Sequence, residues 1–163
     1  MLRYGVLSDT HGVSPAIEAA LNAIGEVDGY LYLGDVGSDA ERIAKQTGKP
    51  VHAVRGNCDT LSFSGKDNPV ELVLELEDVR LLLLHGHRHE VDMYTTYAAR
   101  QRAIELKCDA LVYGHTHIPQ LVQRDGIIVL NPGSPARPRA GSKPACAVIE
   151  LENGRMRAKI ITL

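Results

Sequence analysis

Aromatic side chains are scarce in this sequence. Of 163 residues none is Trp, one is Phe and six are Tyr, so no obvious aromatic interface patch can be read from it. Cysteine is rarer still. Cys58, Cys108 and Cys146 are odd in number, far apart and in no C-x-x-C pair, which argues against a disulfide framework or a thiolate zinc site. Cys108 and Cys146 read as small buried hydrophobes. Charge of one sign is also missing: 18 Lys and Arg face 20 Asp and Glu, a net charge of -2. That gives no general electrostatic reason for nucleic-acid or membrane binding. Apolar runs such as residues 81–84 are far too short to span a bilayer, and no charged-then-apolar leader opens the chain. The expectation is a soluble, cytoplasmic protein.

What is present suits a globular core. Hydrophobic residues make up 44% and charged residues 23%, an ordinary balance, and the length suits one domain over residues 1–163. Residues 2–7 read as a strand. Ser14 is placed as a helix N-cap with Pro15 at the first helical position, and Ile17, Ala20, Leu21 and Ile24 follow at helical spacing up to Gly25. Residues 30–33 form a second strand. Ser38-x-x-Glu41 reads as a capping box that starts a second helix, ending near Gly48 and Pro50. Residues 51–54 form a third strand. Residues 70–76 and 79–84 read as strands joined by a tight Glu77-Asp78 turn. A helix is expected over 94–107, with Tyr97, Ala98 and Ile104 inward, and a strand over 110–113. The rest is hairpins: 120–124 with 127–130 around Asp125-Gly126, and 145–151 with 156–163 around Asn153-Gly154. Residues 131–144, rich in Pro, Gly and Arg, read as a loop. Alternating strands and helices in front and hairpins behind predict an α/β fold of two packed sheets with helices outside.

Five of these strands end in a polar cluster that contains or adjoins glycine: Asp9-Thr10-His11-Gly12, Gly34-Asp35, Gly56-Asn57-Cys58-Asp59, His85-Gly86-His87 and Gly114-His115-Thr116-His117. In open α/β sheets the ligand crevice lies beyond the carboxyl ends of the strands, so side-by-side strands would gather these clusters at one edge. Imidazole with carboxylate suits zinc, manganese, iron or nickel; calcium would require oxygen ligands only. Asp9, His11, Asp35, Asn57, His85, His115 and His117 are too many ligands for one ion with an open position. Two ions roughly 3.5–4 Å apart would use them all and suit phosphate-ester displacement. Each piece alone has an ordinary reading as a turn or cap residue; the fivefold repetition sets the set apart.

Taken in order, D-x-H, G-D, G-N, an isolated His and G-H-x-H resemble the calcineurin-like metallophosphoesterase superfamily. The short length, the Gly56-Asn57-Cys58-Asp59 stretch and Asn131-Pro132-Gly133-Ser134 look like its small single-domain phosphodiesterase branch of bacteria and archaea. The resemblance implies two facing mixed β-sheets flanked by helices. It implies that Asp9, His11 and His117 hold a first divalent ion and Asn57, His85 and His115 a second, with Asp35 bridging. Manganese is the expected metal, with nickel, iron and zinc as alternatives. A metal-bound hydroxide would then attack phosphorus in a small-molecule or nucleotide phosphate ester, and Asn57 would also donate to the phosphate. Relatives are often dimers or larger, so self-association stays open. The same fold also serves as a non-catalytic scaffold in the eukaryotic retromer complex, which makes a metal-binding or scaffold module the alternative.

One position departs from the wider pattern. Many members carry His after the G-N asparagine, as general acid toward the leaving group; here it is Cys58. A thiol with a pKa near ~8.5 is a poor substitute, so esters with basic leaving groups should suffer more than activated aryl esters. His87 is a candidate replacement acid or substrate contact. In an extended segment it would share the face of His85, about 7 Å along. Asp59 reads equally as an orienting group or a loop carboxylate. Arg137 and Arg139 have the guanidinium geometry that suits phosphate. His52 and His89 are given no role.

Overall fold

A computed structural model of the chain describes residues 1–60 and 65–163. Two five-stranded mixed sheets face each other. The first has the order β10-β9-β1-β2-β3, from β1 (Leu2–Leu7), β2 (Gly29–Tyr32), β3 (Val51–Ala53), β9 (Ala145–Glu152) and β10 (Arg155–Thr162). The second has the order β4-β5-β6-β8-β7, from β4 (Glu71–Leu76), β5 (Val79–Leu84), β6 (Ala110–Tyr113), β7 (Gln120–Arg124) and β8 (Ile127–Asn131). Parallel pairing joins β1 to β2 and β2 to β3 in one sheet, and β5 to β6 and β6 to β8 in the other. The hairpins around Asp125-Gly126 and Asn153-Gly154 form as the turn chemistry predicts.

The period-2 pattern of the strands decides what lies between the sheets. Val6 points to the inner core while Leu7 meets the helices. In β5, Leu81 and Leu83 point inward, and Leu82 and Leu84 meet the helix on the other side. All four are fully buried, so this strand reads as an uninterrupted apolar run rather than an alternating one. Helices α1 (Ser14–Ile24) and α2 (Gly37–Thr47) cover the first sheet, and α3 (Tyr97–Glu105) covers the second.

The helix starts differ from the sequence expectation. Ser14 is the first residue of α1, not its cap. Val13 takes the N-cap position without a side-chain bond, and Ser14 Oγ instead accepts a hydrogen bond from Arg42. No capping box forms in α2 either. Its N-cap is Val36, in the left-handed region at φ 78°, and the N–H groups of Val36 and Gly37 are taken by Asp59 Oδ1 at 2.8 and 2.7 Å. A carboxylate from a distant loop has displaced the local cap. Helix α3 begins three residues later than expected and turns another face inward. Ala99, Arg100 and Ala103 are buried, whereas Tyr97 and Ile104 are 61% and 39% exposed. Burying Arg100 is feasible because Asp125 Oδ2 and Thr96 Oγ1 each accept from it at 2.7 Å. The 131–144 loop is irregular as expected, apart from Asn131, which closes β8.

Candidate metal centre

β1, β2, β3, β5 and β6 all deliver their polar clusters to the same edge of the two sheets. Asp9, His11, Asp35 and His117 offer ligand atoms that lie within 4.8 Å of one another. His11 Nε2 is 3.4 Å from His117 Nε2 and 3.9 Å from Asp35 Oδ2, and His117 Nε2 is 3.2 Å from Asp9 Oδ1. On the other side of Asp35, His85 Nε2 is 3.5 Å from its Oδ2, 3.0 Å from Asn57 Oδ1 and 3.3 Å from His115 Nδ1. The seven residues singled out from the sequence are thus brought together, with Asp35 between two groups of three.

Tight backbone geometry makes this convergence possible. Asp9, His11, Asp35, His115 and His117 all have positive φ, between 47° and 69°, a region that non-glycine residues seldom enter. Such strain persists only where surroundings hold it. A Cβ at Gly56 would collide with the Asp35 carboxylate and one at Gly114 with Ser8 Oγ, so only glycine lets these loops approach each other. Hydrogen bonds supply the rest. Ser8 Oγ and the His115 N–H donate to Asp9 Oδ2 at 2.6 and 3.0 Å, and the Cys58 N–H donates to Asp35 Oδ1 at 3.0 Å.

The protonation pattern points to a cation. His85 Nδ1 lies 2.6 Å from the Leu33 carbonyl and His117 Nδ1 2.6 Å from the Arg137 carbonyl. A carbonyl only accepts, so both rings carry their proton on Nδ1 and, when neutral, turn the Nε2 lone pair toward the carboxylates. A lone pair facing a carboxylate oxygen at 3.2–3.5 Å repels it unless a proton or a cation lies between. Asp9 Oδ1, fully buried, has no hydrogen-bond partner, a costly state for a carboxylate oxygen. Without a metal, protons are the only remedy. Burial works against charge on His85, but Asp35 and Asp9 outweigh it and raise its pKa above the usual histidine value. Burial likewise opposes the Asp35 carboxylate, yet the contacts with His85 and the Cys58 N–H prevail and hold its pKa well below the carboxylate range. Burial lowers the pKa of both His11 and His115, which keeps these rings neutral and available as ligands. The donor set therefore fits hard-to-borderline divalent ions. Adding manganese at about 100 times its Kd to chelated protein should stabilise the fold by about 2.7 kcal/mol, raising Tm by about 5–10 °C. A melting curve indifferent to manganese, nickel and zinc would contradict a metal centre.

The chain does not stay extended after His85; it turns at Gly86, φ 126°. His87 nevertheless sits close, with its ring centroid 5.5 Å from that of His85 and 6.4 Å from that of His115. Neither ring nitrogen of His87 has a hydrogen-bond partner, and burial, with His85 and His115 adding to it, brings its pKa down to about 4. At neutral pH it holds no extra proton to give. Cys58 is exposed; partial desolvation and the Asp35 carboxylate push its thiol up to about 11. His89 binds Glu71 at 3.0 Å, remote from the cluster in role.

The residues that position the donor cluster lie outside the ligand motifs singled out from the sequence. Asp39 accepts from Thr10 Oγ1 and from the Gly12 N–H, bracing the Asp9–Gly12 loop against α2. The buried Tyr32 hydroxyl lies 2.5 and 3.0 Å from the carbonyls of Asp35 and Val36. Asn131 Nδ2 donates to Gly114 O and Thr116 Oγ1, each at 3.0 Å, and Ser134 Oγ donates to Asp9 O at 2.8 Å. A signal for the last pair was available: β8 also ends in a polar cluster, and it runs parallel to β6.

Residues 2–154 match the model of the calcineurin-like phosphoesterase superfamily domain. The chain belongs to this family. A probable metallophosphoesterase of Methanothermobacter thermautotrophicus is 34% identical over 160 residues, covering 96% of this chain and 90% of its own. Phosphodiesterase YfcE of Escherichia coli K12 is 31% identical over 171 residues, covering 92% and 88%. Among solved structures, a predicted phosphoesterase from Streptococcus pneumoniae superposes with a TM-score of 0.79 at 26% identity, over 99% of this chain and 89% of its own. Vps29 of Entamoeba histolytica, solved in complex with zinc, shares the fold at a TM-score of 0.74 and 20% identity, over 99% of each chain. This metallophosphoesterase-family protein thus presents a candidate Asp/His metal site, and among the described residues no helix is long and apolar enough to cross a membrane.

Proposed function

We propose that the protein is a cytoplasmic, single-domain phosphodiesterase that works with two divalent metal ions, manganese first among them. The observation that carries this reading is the complete donor set around Asp35, in which the buried Asp9 Oδ1 has no hydrogen-bond partner. When bound, two such ions supply a water nucleophile of lowered pKa and neutralise charge developing on the phosphoryl oxygens. Asp9, His11 and His117 would hold one ion, Asn57, His85 and His115 the other, and Asp35 both. Asn57 has a second task in this reading. Its Oδ1 lies 3.0 Å from His85 Nε2 while its Nδ2 donates to Cys58 Sγ at 3.6 Å, and in this reading Nδ2 donates to the phosphate once substrate is bound. Arg137 and Arg139 bring guanidinium charge to the rim; both act on cluster histidines and suit a phosphate anion.

Leaving-group protonation is the weak step. A thiol at about 11 and an imidazole at about 4 are both far from the pKa near 7 that suits a general acid. Diesters with good leaving groups, which need little protonation, are the substrates this site favours. The test is hydrolysis of bis(p-nitrophenyl) phosphate by chelated protein given manganese, nickel, zinc or magnesium, with turnover expected for manganese or nickel. No turnover with any metal would favour a metal-binding or scaffold module instead. Cys58→His should raise kcat/KM toward an alkyl phosphate monoester, whose basic leaving group needs protonation, by about tenfold; an unchanged value would assign leaving-group protonation to another group.

A further inference from the structure

The sequence places the start of α3 at Tyr94, yet the chain forms a separate turn there. Asp92 Oδ1 accepts the N–H groups of Tyr94 and Thr95 at 2.7 and 2.9 Å, and the Asp92 N–H donates to Thr95 O at 3.1 Å. This Asx turn is pinned on both sides, by buried Val91 before it and by buried Thr96, bound to Arg100, after it. It leaves Met93 57% exposed at a fixed place on the surface. Met93 and Ile118 flank a depression of about 230 Å³ whose other walls are Asp92, His115, Thr116 and Arg139.

Position and chemistry give this depression its meaning. His115 lines it and also belongs to the donor cluster, 3.3 Å from His85 Nε2, so the depression adjoins the metal centre. Arg139 adds positive charge on the same wall, acting on His115 in the same direction as burial and His85 do. Among the described residues, the donor cluster itself is carboxylate, imidazole and carboxamide, and this flank adds a thioether and an aliphatic side chain. Whole small-molecule pockets run to roughly 300–1,000 Å³, so the space suits one ring-sized group and not an entire ligand. A methionine sulfur packs favourably against an aromatic ring, and a guanidinium binds a neighbouring phosphate.

Resting on the phosphodiesterase reading above, we propose that this depression is the subsite for one esterifying group of the substrate, and that this group is aromatic, an aryl or nucleobase-type ring. Its phosphate would lie between the metal centre and Arg139. The test is calorimetric binding to manganese-loaded full-length protein, with phenyl phosphate, methyl phosphate and inorganic phosphate as probes, so that turnover is not the readout. Phenyl phosphate should bind about tenfold more tightly than methyl phosphate, from apolar area covered by the ring. Met93→Ser and, separately, Ile118→Ser should bring that ratio below about threefold; Met93 is exposed, so the first variant keeps its core. Equal affinities in the unsubstituted protein, or a ratio that survives both substitutions, would overturn the subsite while leaving the metal centre standing. Absence of metal-dependent binding of inorganic phosphate would overturn the phosphodiesterase reading and the subsite together.

Discussion

Asp35→Asn should cut manganese-dependent hydrolysis of bis(p-nitrophenyl) phosphate by roughly a thousandfold and lower the bound metal from two ions to one per chain. Asp35 is the residue shared by the two halves of the cluster. Its Oδ2 is 3.9 Å from His11 Nε2 on one side and 3.5 Å from His85 Nε2 on the other. The asparagine is nearly isosteric, so its Oδ1 can keep the 3.0 Å bond from the Cys58 N–H. What disappears is the negative charge and the second acceptor, the two properties needed to bridge a pair of cations. The ionised Asp35 is favoured by His85 and the Cys58 N–H, so the apo fold of the variant should lose some stability at neutral pH, and the loss of rate has to be compared on protein shown to be folded. Thermal unfolding of the chelated proteins, elemental analysis of the loaded ones and initial rates separate these effects. Turnover within tenfold of the parent would exclude Asp35 as a bridge.

Much of this centre was legible because its signals are local. Each polar cluster follows a short apolar strand and contains or adjoins glycine, so strand, turn and donor are read from about ten consecutive residues. Parallel pairing of β1, β2 and β3 then follows from alternation with helices, and convergence follows from pairing. The same locality explains the failures at helix ends. Ser38 and Glu41 make a good capping box in isolation, yet Asp59, some twenty residues on, reaches the first turn of α2 and takes its N–H groups. Asp92 similarly captures the N–H groups of Tyr94 and Thr95 and delays α3. Neither contact leaves a trace in the periodicity of the helix it reshapes.

The supporting residues were hidden for a related reason. Thr10, Tyr32, Asp39 and Ser134 carry side chains that suit a turn, a core or a cap equally well. Their role appears only once Thr10 and Gly12 meet Asp39 and Ser134 meets Asp9 O. Arg100 shows the converse. A charged side chain ordinarily stays off the buried face of a helix, but Asp125 in the β7–β8 turn pairs with Arg100 at 2.7 Å and it is buried. A long-range partner changes the sign of a burial preference, and a single sequence does not reveal which partner that is.

Asp59→Ala should destabilise the protein by about 3 kcal/mol and lower kcat/KM by roughly a hundredfold, although Asp59 donates nothing to the metal cluster. Fully buried, it accepts the N–H groups of Val36 and Gly37 on Oδ1 and of Gly56 on Oδ2, the last at 2.7 Å. One carboxylate thus ties the loop carrying Asp35 to the loop carrying Asn57, and its charge sits at the positive end of α2. Alanine would leave three donors without an acceptor in a dry environment. It would also remove the restraint that keeps Val36 at φ 78°, an unfavourable angle for a β-branched residue. Asp35 would drift from Asn57 and His85, so manganese affinity at that half of the site should fall with activity. Asp59→Asn retains one acceptor oxygen and should fall between the parent and the alanine variant in each measurement. Urea unfolding, manganese titration and initial rates provide the three readouts. Lost stability with manganese affinity and turnover intact would reduce Asp59 to a helix cap, and the coupling between the two loops would have to come from the Cys58 N–H bond to Asp35 Oδ1 and from Gly56 packing against Asp35.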